Sequence, residues 1–380
     1  MTPNVKMIGR DKAHGFRRIL QRPYQADGFL QGVMDNYILS SESMTQKIAN
    51  SFDFREWLQL EISRCDQDET SGFGNKVQNL RSAKHRFESH TTPLGRFLLY
   101  LPAFIRVVTK ICELKPDDAS GRSAARFLEL VTGEELLQLA LLADAADEAL
   151  VLVRMVDVED VDLSEIPTFV GQFIQRIAAL FKQEGALKLG YTRHVLEMME
   201  AGAVSMLIKK SGQARRIRPP SREVIDRCLQ RMKCWCKLAV EVVRTEFPDY
   251  SLFCAMGCFA LKTGTKSSNE SADVERLAQV FKVSPMGLKD QLERHRPLAE
   301  KFQRDMSCGN REAWQETLIR TTNMKGGGYP SDHLSPVVTR YIAWQAAHLE
   351  IWQFFMVTYF KIDLYHYIII SLQKYSLSRS

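Results

Sequence analysis

Residues 128–155 read LELVTGEELLQLALLADAADEALVLVRM. Leucine and alanine dominate this run, strand-like alternation is absent, and such apolar density suits helices buried between other helices. Gly133 lies inside it and predicts a point where two helices part. The fold class follows from this region: a mainly α protein.

Outward from it the same period recurs. Upstream, Thr92 and Pro93 read as the cap and first turn of a helix that carries Leu94, Phe97, Leu98, Leu101, Ile105, Val108 and Cys112 on one stripe. Pro102 predicts a kink or break within it. Further upstream, Asp27 reads as the N-cap of a helix through Leu30, Val33, Met34, Tyr37 and Ile38. Met44, Ile48, Phe52 and Trp57 fit one or two shorter helices, and residues 66–75, DQDETSGFGN, read as a loop. Downstream, a helix should start near Ser164, with Pro167 in its first turn, and run to Gly185. Ser221 should cap another that Phe247 and Pro248 close.

Composition removes several classes. The chain has 380 residues, is 45% hydrophobic and 25% charged, and its 51 Lys+Arg against 45 Asp+Glu give +6. Those values exclude a disordered tail, a collagen-like repeat and a small disulfide scaffold. Eight cysteines without a secretory leader indicate a reducing compartment, cytosol or nucleus. The apolar stretch from Ile351 to Leu372 contains Lys361, Asp363 and His366, so no membrane span is expected. The residues after Tyr341 differ in composition, with ten aromatics among the last forty.

The charge is concentrated. KKSGQARRIRPPSR, residues 209–222, holds Lys209, Lys210, Arg215, Arg216, Arg218 and Arg222 without an acid, beside a Pro-Pro pair. It reads either as an exposed linker or as a phosphate-binding or nuclear-import segment, and phosphate binding there should weaken with salt. A second candidate is VERLAQVFKVSPMGLKDQL, residues 274–292, whose spacing fits a helix-turn-helix capped at Ser284. Its reading face would be Lys289, Gln291 and Arg294, although generic helical hairpins share the pattern.

Metal chemistry has two candidates. Asp157, Glu159, Asp160, Asp162 and Glu165 could hold magnesium or manganese, or could instead favour the start of the following helix. Cys234, Cys236, Cys254 and Cys258 could hold zinc, but their spacings also fit cysteines packed as small hydrophobes. Asp11 and His14 fit a cap or structural pair. No phosphate loop, nucleophile elbow, H-E-x-x-H or G-x-G-x-x-G is present.

Several phrases resemble the hAT superfamily of DNA transposases. DKAHGFRRILQRPYQADGFLQGVMDNYIL, residues 11–39, is similar to the segment that follows the family's second catalytic carboxylate, with His14 matching its histidine and Asp11 standing where its cysteine would be. NLRSAKHRFESHTTPLGRFL, residues 79–98, resembles the family's T-R-W region, with Arg86 and Phe87 in place of Arg-Trp. Residues 94–322 resemble its all-helical insertion, and the likeness covers most of residues 8–345. The resemblance implies an RNase H-like ancestor in which three carboxylates hold two divalent metals for strand transfer. The first two carboxylates would precede this chain and the third is not recognisable, so no catalytic residue is assigned.

The resulting expectation is the helical insertion domain of an RNase H-like transposase, with most of the β-core missing. It divides into an N-terminal helical segment at the core's edge over 1–75, a helical domain over 76–208, a basic linker over 209–222, a second helical region over 223–325, and a Gly-rich hinge with an aromatic tail over 326–380. The expected function is a catalytically incomplete, transposase-derived protein that contacts DNA non-specifically or binds a protein partner or a second copy, with nuclear placement favoured by the resemblance. No small-molecule substrate, resident cofactor or membrane contact is expected. The alternatives are a Mg2+- or Mn2+-dependent nuclease or phosphoryl-transfer enzyme built on the acidic run, and a helix-turn-helix DNA binder.

Overall fold

The computed structural model describes residues 12–65, 88–156, 162–208, 213–246, 250–261, 269–322 and 331–343. The described residues form two compact units, a larger one within residues 11–154 and 171–246 and a smaller one within residues 155–170 and 247–343.

The helices in chain order are α1 (Lys12–Gln25), α2 (Gly28–Met34), α3 (Met44–Asn50), α4 (Phe52–Cys65), α5 (Glu88–Leu99), α6 (Leu101–Leu114), α7 (Ala119–Leu130) and α8 (Gly133–Val156). They continue with α9 (Ile166–Phe181), α10 (Gly190–Glu200), α11 (Arg222–Glu246), α12 (Tyr250–Met256), α13 (Glu270–Phe281), α14 (Pro285–Met306), α15 (Asn310–Thr322) and α16 (334–343). Local chemistry sets most of these limits. Asp27 accepts the amides of Phe29 and Leu30 at 2.9 and 3.1 Å and so caps α2. Pro102 falls in the first turn of α6, where its missing N–H costs nothing, and divides α6 from α5. Thr132 and Glu135 form a reciprocal capping box at the start of α8: the Glu135 amide donates to Thr132 Oγ1 at 3.2 Å and the Thr132 amide to Glu135 Oε2 at 3.2 Å.

In the larger unit residues 136–146 of α8 are enclosed, with Leu136, Leu137, Leu139, Ala140, Leu141 and Ala145 all at 0% exposure. That is why the sequence there is apolar on every side. Tyr37, Phe97, Phe104 and Phe127 form one ring cluster, with successive centroids 4.8 to 6.0 Å apart. Between α2 and α3 the chain makes a π-helical turn over Asp35–Leu39, which turns Tyr37 and Ile38 into the core. In the smaller unit Trp314 packs edge-on against Phe259 at 5.6 Å and donates its indole N–H to the Phe259 carbonyl at 2.8 Å, while Tyr341 stacks on Phe259 at 5.1 Å.

Four expectations need correction. The helix expected after Thr92 and Pro93 begins at Glu88, with Pro93 inside α5; one lost backbone bond near a helix start is tolerated. Residues 213–222 of the basic segment are not a linker between domains. Residues Gln213–Arg216 form β2, antiparallel to β1 (Ser205–Ile208), and Met206 and Ile217 are buried, so the larger unit runs through this stretch. The two units also divide the chain differently from the 76–208 and 223–325 regions, since 155–170 belongs with the C-terminal part. Finally, residues 331–343 are not a separate tail: Leu334, Val337, Val338 and Tyr341 are all at 0% exposure in the smaller unit's core. Asp11, most of the acidic run and residues 344–380 lie outside the described residues. Among those described, no helix is long and apolar enough to cross a membrane.

Candidate functional site

The basic segment is built on β1 and β2, and its described cations fall into three groups. Arg215 faces the end of α7, where its guanidinium donates to the carbonyls of Glu129 at 2.7 Å, Val131 at 2.9 Å and Leu128 at 3.3 Å. Arg216 donates to the Glu200 carbonyl at 2.9 Å, at the end of α10. Adjacent residues of one strand point to opposite faces, so each arginine closes a different helix whose last carbonyls lack partners. Arg222 is ion-paired with Glu184 at 2.9 Å and Asp226 at 2.8 Å, and these carboxylates hold its guanidinium firmly protonated. Arg218 is exposed and makes no hydrogen bond or ion pair among the described residues. Lys209 and Lys210 lie outside them.

The helix-turn-helix candidate occurs as α13, a three-residue turn and α14. Ser284 Oγ accepts the Gly287 amide at 3.2 Å, and Lys282 adopts the left-handed conformation that ends α13. The expected reading face is divided, however. Lys289 is exposed, and Arg294 is exposed and paired with Asp290 at 2.9 Å. Gln291 is only 5% exposed: its Oε1 accepts the amides of His333 at 3.0 Å and Leu334 at 2.8 Å, and its amide donates to Asp332 at 2.5 Å. It serves as the N-terminal cap of α16 and is not available to a base edge.

Among the described residues neither metal candidate is complete. Asp157, Glu159 and Asp160 are outside the described residues. Asp162 is occupied internally, its Oδ1 accepting the Ser164 amide at 2.8 Å, the Ser164 hydroxyl at 2.7 Å and the Tyr341 hydroxyl at 2.5 Å. Asn310 extends this network by donating to Ser164 Oγ at 3.1 Å and accepting from Gln303 at 2.8 Å. Cys236 is buried, donates to the Ile177 carbonyl at 3.6 Å, and burial pushes its thiol up to about 12. Cys258 is fully enclosed and burial raises it further, while Cys234 is exposed and Cys254 half-buried. Among the described residues no three His, Cys, Asp or Glu side chains converge as metal ligands.

A feature that the sequence reading missed lies in the larger unit. A cleft of about 510 Å³ opens between the residue 29–44 segment and the α7–α8 junction. Phe29, Met44, Phe127, Leu130 and Val131 supply its apolar wall. Glu134 on its rim receives Arg227 and Arg231, both at 2.8 Å, and the Arg231 guanidinium stacks 4.0 Å from the Phe29 ring centre. The hydrogen bond from Arg227 is the main reason that Glu134 titrates below the usual carboxylate range. Glu135 Oε2 accepts the Tyr37 hydroxyl at 2.9 Å and the Thr132 hydroxyl at 3.0 Å, in addition to the Thr132 amide. Burial, reinforced by Glu135, holds the Tyr37 phenol protonated. The T-x-x-E spacing at 132–135 was the one sequence signal for this corner, and it announces a capping box rather than a site.

No family model, no curated protein and no solved structure matches the chain.

Proposed function

We propose that this mainly helical protein is transposase-derived and catalytically incomplete, and that it contacts nucleic acid non-specifically through phosphates at the basic segment. One observation carries the binding part: residues 205–222 hold six cations and no carboxylate, and Arg218 remains exposed without a partner among the described residues. Exposed cations of this kind gain affinity by releasing counterions from the phosphate backbone. Arg215 contributes to folding, not to binding, because its donors are taken by α7. Arg222 is largely neutralised by Glu184 and Asp226. The working set is therefore Lys209, Lys210 and Arg218, with Arg216, which is exposed and gives only one guanidinium nitrogen to the Glu200 carbonyl. The ancestry rests on the resemblance of residues 11–39 and 79–98 and agrees with a helical body.

The test is anisotropy titration of a labelled 20-base-pair duplex with the full chain across salt. With two to four phosphates neutralised, log K should fall against log salt with a slope of about −2 to −4. The triple substitution Lys209→Ala, Lys210→Ala, Arg218→Ala should flatten that slope by about 2 to 3 and leave the melting temperature unchanged. Lys289→Ala on α14 should change nothing. A slope near zero, a triple variant that binds like the parent, or a strong preference between duplex sequences would refute the reading. For the ancestry, the discriminating observation is an in-frame upstream segment with two acidic strand-end residues.

The helix-turn-helix alternative is not favoured, because Gln291 faces inward. The metal-dependent enzyme gains no support from Asp162, which is held by three internal donors, and its other carboxylates, Asp157, Glu159 and Asp160, lie outside the described residues.

A further inference from the structure

We infer that the cleft between the residue 29–44 segment and the α7–α8 junction is a binding site for a small organic anion with a planar apolar body and one carboxylate or phosphate group. At about 510 Å³ it lies within the range of small-molecule sites, about 300 to 1,000 Å³. Its base is rigid, because Tyr37 and Phe127 belong to the four-ring cluster of the core and Tyr37 is fixed by its bond to Glu135.

The sign of the ligand follows from which polar groups the protein has already satisfied. Each lining carboxylate has partners: Glu42 takes Lys47 at 2.8 Å, Glu134 takes two arginines, and Glu135 takes three donors on one oxygen. Among the lining residues the one cation is Arg126, exposed on α7 and without a hydrogen bond or ion pair among the described residues.

The hydroxyls point the same way. Ser40 Oγ accepts the Glu42 amide at 3.1 Å, Ser43 Oγ accepts the Gln46 amide at 3.2 Å, and Ser123 Oγ accepts the Lys47 ammonium at 2.7 Å. A serine that already accepts has its O–H proton left to give. The lining thus offers a guanidinium and three hydroxyl donors beside aromatic and aliphatic walls. An incoming cation would find its carboxylates already taken, whereas an anion with an apolar body would satisfy both parts of the surface.

Ligand-observed NMR on the full chain tests this with four probes: phenyl phosphate, 2-naphthoate, benzylamine and inorganic phosphate. The expected result is binding of the two aromatic anions and not of benzylamine, with inorganic phosphate at least tenfold weaker. Arg126→Gln should weaken both anions about tenfold or more at an unchanged melting temperature, and Ser43→Ala should weaken them less. Leu130→Asp, at a residue 58% exposed and so tolerant of substitution, should abolish binding. Equal binding of benzylamine, binding of inorganic phosphate as tight as that of phenyl phosphate, an Arg126→Gln variant that binds like the parent, or no anion binding at millimolar concentration would each overturn the proposal.

Discussion

Two carboxylates, one in each unit, are held by the same kinds of donor and serve different ends. Asp162 Oδ1 and Glu135 Oε2 each accept a tyrosine hydroxyl, a backbone amide and a Ser or Thr hydroxyl. Around Asp162 the assembly is sealed: Tyr341 and Ser164 are at 0% exposure, and Asn310 closes the network behind them. Around Glu135 it forms the wall of a cleft. The chemistry of the donors is therefore not what distinguishes a structural junction from a candidate site. The distinction lies in whether the surrounding helices meet over the carboxylate or stand apart beside it. A third carboxylate, Asp144 on α8, lies between these cases. It is buried and accepts the amides of Tyr191 at 2.8 Å and Thr192 at 3.1 Å and the Thr192 hydroxyl at 2.6 Å, capping α10 from a distance.

Substitutions can break this comparison, and the largest effect is expected in the sealed network. Asp162→Ala strands the Tyr341 and Ser164 donors where water does not reach, and should cost about 4 kcal/mol, measured by urea unfolding. Next in size is the pH dependence from Asp144. Burial outweighs its three donors and pushes its carboxyl up to about 6, above the ordinary 3.8, so the folded chain binds this proton more tightly than the unfolded one. Its contribution is fully present below pH about 4 and is lost as pH rises through about 6, of order 2–3 kcal/mol in all. Unfolding midpoints of the parent between pH 4 and 7, compared with Asp144→Asn, should isolate that loss; parallel curves would refute it. The smallest effect sharpens the original pair. Tyr341→Phe should cost about 1 to 2 kcal/mol because Asp162 is buried, and Tyr37→Phe less than about 1 kcal/mol because water can replace the phenol at an open cleft. Equal losses would mean that the two assemblies are equally closed.

Much of the helical outline was legible because it depends on near neighbours. The Asp27 cap, the Pro102 break, the division at Gly133 and the Ser284 cap each concern atoms within a few residues of one another. The pairing of β1 with β2 was not legible. Each strand has four residues, and the basic run that contains β2 has the composition of a linker. The face of Gln291 was also missed, because a polar residue on an amphipathic helix is read as outward unless a distant segment, here residues 332–334, supplies its partners.

The sequence by itself determined that this chain is helical, where most of its helices begin and end, and where its positive charge is concentrated. Periodicity and capping act over one or two turns, and charge is counted without knowing the fold. The tertiary structure alone decided which charges are available. Arg215 and Arg218 are the same residue three positions apart, yet one closes α7, more than eighty residues away, while the other stands in solvent. Glu135 meets Tyr37 across 98 residues, and that pairing helps form a cleft that no local pattern announces. Hydrogen bonds and ion pairs are short-ranged in space but indifferent to distance along the chain, so only packing could select among the possible partners.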